Sequence, residues 1–321
     1  MFDRRTLLIA ATLPLVARAQ DRFPVRPLRL VVPNAPGGAA DITARTIGQA
    51  IGATLGQPVV VDNRPGAGGV VAGELVARAE PDGHTLLLVS SGTAVSASLF
   101  KSLPFDALKD FAPVSLLATF DLVLTVAEGG RFGSLQDLLA WARANPGKLN
   151  IGTPQVGTTQ HLAAELFKAS AGIDAQVVPF NGTPPVITAV RAGQVDAQVD
   201  ILGPLLGQIQ SRALRAIAVF GDKRAPQLPQ VPAAREAGGS LATFQASSWN
   251  GLAVPARTPA AIVDRLNAEV NKALALPDVQ RKLADLNLRP QGSTPAQLRE
   301  HLAADIRRWS DVIERARIPK Q

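Results

Sequence analysis

The chain has 321 residues, enough for two domains of ordinary size or for one large α/β unit. It is 46% hydrophobic and holds no Cys, so it can bury a substantial core but has no disulfide staple, thiolate nucleophile, lipid attachment through Cys or cysteine metal site. The formal charge is +7, yet Lys and Arg are scattered among Asp and Glu, Tyr is absent and only three Trp are present, which argues against nucleic acid and suits an anionic small solute.

Arg4 and Arg5 precede an apolar run from Leu7 to Val16, and Ala17-Arg18-Ala19 follows as an A-x-A signature. This charged, apolar, small-residue order is that of a secretory signal peptide, with cleavage expected after Ala19. The apolar run is too short to span a bilayer. The Arg4-Arg5 pair invites a twin-arginine export reading, its flanking residues match that pattern only in part, and the route, Sec or twin-arginine, stays open. Loss of three arginines and one aspartate lowers the formal charge from +7 to +5.

After that segment strands alternate with helices. Leu28 to Val32 reads as a strand running into the turn-rich Pro33-Asn34-Ala35-Pro36-Gly37-Gly38, followed by a helix with Ile47, Ile51 and Leu55 on one face. Strands are expected at Pro58 to Asp62 and Thr85 to Val89, a helix through Val76, and a polar turn at Ser90-Ser91-Gly92-Thr93. Together these outline a parallel α/β lobe. Pro113 to Val126 looks extended and carries the chain between lobes. Ser134 and Asp137 form a capping box for a helix that stops at Asn145-Pro146-Gly147.

A second lobe repeats the grammar without repeating the sequence. It has a strand from Leu149 to Gly152, a helix opened by Gly157-Thr158-Thr159 that runs through Ala169, and an extended Ala175 to Phe180. Pro184 suits the first turn of a helix near Val186 to Arg191, and Val195, Ala197, Val199 and Ile201 alternate with polar residues as in a strand. Further strands are expected at Arg215 to Phe220 and Trp249 to Val254, with closing helices near Pro259 to Leu274 and Pro295 to Glu314. The expected division is residues 20–120 with 250–321 in the first lobe and 121–249 in the second, the return falling between 220 and 250.

The candidate binding residues lie in loops that precede helices. Ala35, Pro36, Gly37 and Gly38 leave backbone N–H groups uncovered at a helix start, where a carboxylate can bind without Arg or Lys. Asp41, in the first turn, is expected to brace that loop. Ser90, Ser91 and Thr93, then Gly157, Thr158 and Thr159, then Asn181, Gly182 and Thr183, follow strands and precede helices, at the carboxyl ends where ligands collect in open α/β sheets, and Phe180 beside the last loop joins the candidates. Two of these loops fall in each lobe, which suits a ligand held between lobes. His161 reads as a packed or capping histidine before it reads as a ligand or base. Asp200 either accepts a hydrogen bond from the ligand or ties down a loop.

Enzyme-like patterns fail. Gly66-Ala67-Gly68-Gly69-Val70-Val71 misses the last glycine of a dinucleotide loop, and no phosphate loop of the G-x-x-x-x-G-K-[ST] kind is present. His84, His161 and His301 have no metal-ligand spacing, and no G-x-S-x-G elbow supports a serine nucleophile. No cofactor or metal is expected.

Residues along almost the whole mature chain carry a family resemblance. They include Pro36-Gly37-Gly38-Ala39-Ala40-Asp41, Val61-Asp62-Asn63-Arg64-Pro65-Gly66-Ala67-Gly68-Gly69, Pro81-Asp82-Gly83-His84, Leu228-Pro229-Gln230-Val231-Pro232 and Trp249-Asn250-Gly251-Leu252. In order and spacing the chain resembles the Bug family, the TctC-like extracytoplasmic solute receptors of tripartite tricarboxylate transport systems. The resemblance implies a type II periplasmic-binding-protein fold, two α/β lobes closing over the solute, with a carboxylate received by the Ala35 to Gly38 loop. It places Asn181 and Asp200 near the variable end of the ligand. It also implies delivery to a membrane permease with a large and a small subunit, by a monomer in the periplasm. Handover to a membrane sensor kinase is the alternative partner, and a secreted hydrolase the alternative class. The frequent P-Y-K-G is Pro179-Phe180-Asn181-Gly182 here, which removes a phenol and an ammonium group and leaves the solute unspecified.

Overall fold

Leu28–Val32 forms strand β1, four of its five residues buried, because it is an interior strand with parallel partners at both edges and helices packed against it. The computed structural model describes residues 23–316 and 318–321, so the expected export segment at residues 1–19 lies outside the described residues. From β1 the chain enters helix α1 (Ala39–Leu55), with Ile47, Ile51 and Leu55 on its buried face as the 3.6-residue spacing requires. Strand β2 (Val59–Asn63), helix α2 (Val70–Ala77), strand β3 (Thr85–Ser90) and helix α3 (Ser91–Leu99) complete the first run.

Strand β4 (Phe111–Ala127) is the spine of the molecule. Helix α4 (Leu135–Ala144), strand β5 (Leu149–Pro154), helix α5 (Thr159–Ala171), strand β6 (Ala175–Phe180), helix α6 (Thr183–Arg191), strand β7 (Ala197–Ile201), helix α7 (Leu202–Gln210) and strand β8 (Leu214–Val219) follow it. The chain then returns through strand β9 (Ser247–Pro255) and ends in helices α8 (Ala260–Ala275) and α9 (Pro277–Ala284), the short strand β10 (Arg289–Pro290) and helix α10 (Pro295–Arg315).

The sheet order is β2-β1-β3-β9-β4-β7-β5-β6, with β8 and β10 also on β4. Residues Phe111 to Asp121 of β4 pair with β9, whereas Leu122 to Ala127 pair with β7 and β8, so one strand serves two half-sheets. The architecture is the bilobed α/β fold of type II periplasmic binding proteins. Each half-sheet is mixed where a parallel one was expected: β1, β2 and β3 are parallel, as are β5, β6 and β7, but β9 and both halves of β4 run antiparallel to their neighbours. Because β9 runs against both β3 and β4, the long strand β4 points the same way as β1, β2 and β3 but opposite to β5, β6 and β7.

Two helices escaped the sequence reading. Helix α7 starts at Leu202 directly from β7, with Gly203, Pro204 and Gly207 inside it, so neither a loop nor a propensity signal marks its start. Helix α9 is split from α8 by Pro277, which occupies its first turn. Among the described residues no helix is long and apolar enough to cross a membrane.

Candidate functional site

A cavity lies where the strand ends of the two half-sheets face each other, with about 600 Å³ of space counting the mouth that opens to solvent. Its wall includes Gly38, Ser90, Thr158 and Gly182, which are the N-cap residues of α1, α3, α5 and α6. Four helices therefore start at one small space, two from each side. The first-turn N–H groups of a helix have no intrahelical acceptor, and the dipole places partial positive charge there. No side chain lining the cavity carries a charge. Such a site attracts an anion with fixed neutral donors rather than with Arg or Lys.

Each entrance is built locally. At α1, the Asp41 carboxylate accepts from the Gly37 N–H at 3.0 Å and pairs with Arg45 at 2.9 Å, so it braces the loop as expected. Burial raises the Asp41 pKa, but the Arg45 guanidinium, the Gly37 N–H and the Asn63 amide outweigh it and hold the carboxyl below its ordinary value. At α3, the Ser90 hydroxyl accepts from the Gly92 N–H and the Thr93 hydroxyl accepts from the Ser90 N–H. At α5, the Thr158 hydroxyl accepts from the His161 N–H.

Among the expected site residues, Ala35, Gly38, Ser90, Thr158, Thr159 and Gly182 line the cavity. Others stand behind it. The Gly37 N–H is taken by Asp41 and Thr93 by its cap, while Pro36 and Asn181 are exposed. The Ser91 hydroxyl faces away, donating to Asp305 at 2.7 Å and accepting from the Trp309 indole. Phe180 packs among the apolar residues of the second lobe, and its carbonyl accepts from the Gln155 N–H. His161 is buried, with Nδ1 unpartnered, and desolvation lowers its pKa, so it sits neutral behind the wall. Gly157 is set back at the contact between lobes: an added Cβ there would stand 3.0 Å from the Gly68 Cα.

Asp200 is also behind the wall, with no exposed surface. Its Oδ1 accepts from the Gln160 side-chain amide at 3.1 Å and from the Ile201 N–H at 2.7 Å. Desolvation raises its pKa to about 6, with the Gln160 amide, the Ile201 N–H and the Thr183 hydroxyl opposing the rise.

Thr183, the last residue of the expected Asn181-Gly182-Thr183 loop, also lines the cavity, whereas sequence reasoning missed Gln155, Gln160, Ser248 and Asn250, which line it too. Gln155 adopts φ +26°, a strained backbone for a residue other than glycine, and this gives no sequence signal. Ser248 and Asn250 alternate along β9, and only the pairing of β9 between β3 and β4 brings that face to the cavity. Gln160 is the second residue after the Thr158 N-cap, a signal that was available. Among the described residues no cluster of three or more His, Asp or Glu side chains could hold a metal ion.

The profile described as "Tripartite tricarboxylate transporter family receptor", TctC, matches residues 43–318. A UPF0065 protein in the tcbD-tcbE intergenic region of a Pseudomonas species is 40% identical, over 98% of this chain and 95% of its own. The protein BugT of Bordetella pertussis is 36% identical, over 91% of this chain and 90% of its own. Among solved structures, an R. palustris protein with adipate superimposes with a TM-score of 0.88 at 32% identity, covering 92% of this chain and 98% of that one. MatC from Rhodopseudomonas palustris with bound malate gives 0.85 at 36% identity, covering 91% and 100%.

Proposed function

Because the chain belongs to the receptor family of tripartite tricarboxylate transporters, we propose that it captures a small organic carboxylate in the periplasm and presents it to a membrane permease. It is a receptor, so binding and release replace chemistry. The observation that carries the ligand class is the convergence of four helix N-termini on a cavity with no charged side chain in its wall. Two termini per lobe suit an anion held from both sides, and the relatives with adipate and malate support a dicarboxylate.

The lobes divide within β4 between Asp121 and Leu122, where its partner changes from β9 to β7 and β8, and rejoin where β9 begins at Ser247. The open form exposes the α1 and α3 entrances. A carboxylate docks on their N–H groups, and contacts from the α5 and α6 entrances then favour closure by the difference in affinity between the two states. The segment ending at Ala19 directs export, and the mature receptor acts as a monomer with the large and small permease subunits as its partners.

A thermal-shift screen of ligand-stripped protein tests the reading. Ligand at a hundredfold excess over its Kd adds about 2.7 kcal/mol of apparent stability. A saturable rise in Tm with adipate, malate or a related carboxylate is expected; no rise with di- and tricarboxylates, acidic amino acids or aromatic carboxylates overturns it.

A further inference from the structure

The wall of the cavity is backed by one carboxyl group that no cation balances. Asp200 has no exposed surface, and three residues that touch it or adjoin it, Gln160, Thr183 and Ile201, line the cavity. Its Oδ1 holds the Gln160 amide and the Ile201 N–H. Its Oδ2 accepts no hydrogen bond, although the Thr183 hydroxyl stands close enough to favour the ionised form. A buried oxygen without a partner is costly when charged and much less so when it carries a proton.

The elements packed around β7 bring no compensating charge. On α5 the titratable groups are His161, Glu165 and Lys168, with Glu165 and Lys168 paired to each other at 3.1 Å. On β4, Asp121 is paired with Arg289 at 2.7 Å; just past its end Glu128 is paired with Arg215 of β8, and Arg191 closes the far end of α6. Strand β5 and helix α7 carry no ionisable side chain. None of these groups shifts the titration of Asp200, which responds to burial and to its three neutral neighbours alone.

We propose that Asp200 is a positioning residue that takes up a proton when the cleft closes on a carboxylate, so that solute capture is coupled to proton uptake. The inference rests on the reading of the cleft as a carboxylate site. An ionised Asp200 draws the Thr183 hydroxyl and the Gln160 amide toward itself, away from the ligand, and adds a negative charge behind the site. A protonated Asp200 donates from Oδ2 toward the Thr183 oxygen, which frees the Thr183 hydroxyl proton to point at the bound carboxylate. One O–H bond forms at Oδ2 with a proton drawn from the buffer acid, whose own bond to that proton breaks and whose conjugate base stays in solution; no bond between heavy atoms changes. The ligand-free carboxyl titrates at about 6, and an anion bound nearby raises that further, so both protonation states are reached near neutral pH.

Isothermal titration with adipate and malate, between about pH 6.5 and pH 8.5 where both probes are fully ionised, tests this through the linkage of affinity to protonation. Wild-type affinity is expected to weaken as pH rises, by at most tenfold per unit, and the binding enthalpy to depend on the ionisation enthalpy of the buffer, as proton uptake requires. Asp200→Asn carries a permanent donor in place of Oδ2–H, so its affinity should match the low-pH wild-type value and stay flat with pH. Should Asp200→Asn fail to fold by circular dichroism, the buffer dependence of the wild type decides alone. Binding that is flat with pH and takes up no proton overturns the inference and leaves the receptor reading intact, as does unchanged pH dependence in Asp200→Asn; failure of every carboxylate in the thermal-shift panel, adipate and malate included, to bind at any pH overturns both.

Discussion

At the scale of single residues the second lobe carries a charge that works against its own folding. The Asp200 carboxyl titrates at about 6 in the folded protein, against about 3.9 in an unfolded chain. The folded state therefore holds the extra proton between those values. Stability falls as pH rises from about 4 to about 6 and stays lower above that. Asparagine at this position keeps an oxygen for the Gln160 and Ile201 donors. Asp200→Asn is expected to raise stability at pH 8 by up to about 3 kcal/mol and to leave it nearly unchanged at pH 4, by urea unfolding at the two pH values. Asp41 is the opposite case, a carboxylate held by Arg45 and the Gly37 N–H. Asp41→Ala should loosen the α1 entrance and weaken carboxylate affinity by about tenfold, since loss of a charge-assisted hydrogen bond is worth about 1.5 kcal/mol. Calorimetry on the folded variant reads this directly.

At the scale of elements, α3 reaches the cavity because α10 holds it from behind. The Asp305 carboxylate of α10 accepts from the Ser91 hydroxyl at 2.7 Å and from the Trp249 indole at 2.8 Å, and the Trp309 indole donates to Ser91 at 3.1 Å. This network ties the first residue of α3 to β9 and to a helix more than two hundred positions later in sequence. Asp305→Ala leaves two buried donors without an acceptor, and a loss of about 2 to 4 kcal/mol in urea unfolding is expected. A loss below about 0.5 kcal/mol would mean that α3 is held by apolar packing alone.

At the scale of the whole molecule the two lobes touch through backbone. The Ser96 hydroxyl of α3 lies 2.6 Å from the Gly68 carbonyl and 3.2 Å from the Gly157 carbonyl across the cleft. Gly68 and Gly157 approach so closely that a Cβ on either would meet the other's Cα at 3.0 Å. A second contact joins Ser248 of β9 to Thr159 of α5 through their hydroxyls at 3.2 Å. In the proposed capture cycle these contacts form on closure, so removing one is expected to shift the population toward the open form. Ser96→Ala should weaken solute affinity by about fivefold, the equivalent of one hydrogen bond of about 1 kcal/mol, and leave the Tm of the ligand-free protein almost unchanged. Unaltered affinity would mean that Ser96 braces the first lobe only.

Sequence alone determined most elements of the fold, because apolar periodicity and capping residues are local properties. Ile47, Ile51 and Leu55 declared the buried face of α1, and Ser134 marked the start of α4 by accepting from the Asp137 N–H. The helix entrances at Gly38, Ser90, Thr158 and Gly182 were legible for the same reason. Tertiary structure alone decided the rest. Whether Asp200 faces solute or stands behind Gln160, and whether Ser248 and Asn250 of β9 reach the cavity at all, depends on which strands pair across the crossover. The unbalanced charge on Asp200 is likewise a property of burial, which no local pattern encodes, and it arises only when every neighbouring element has packed.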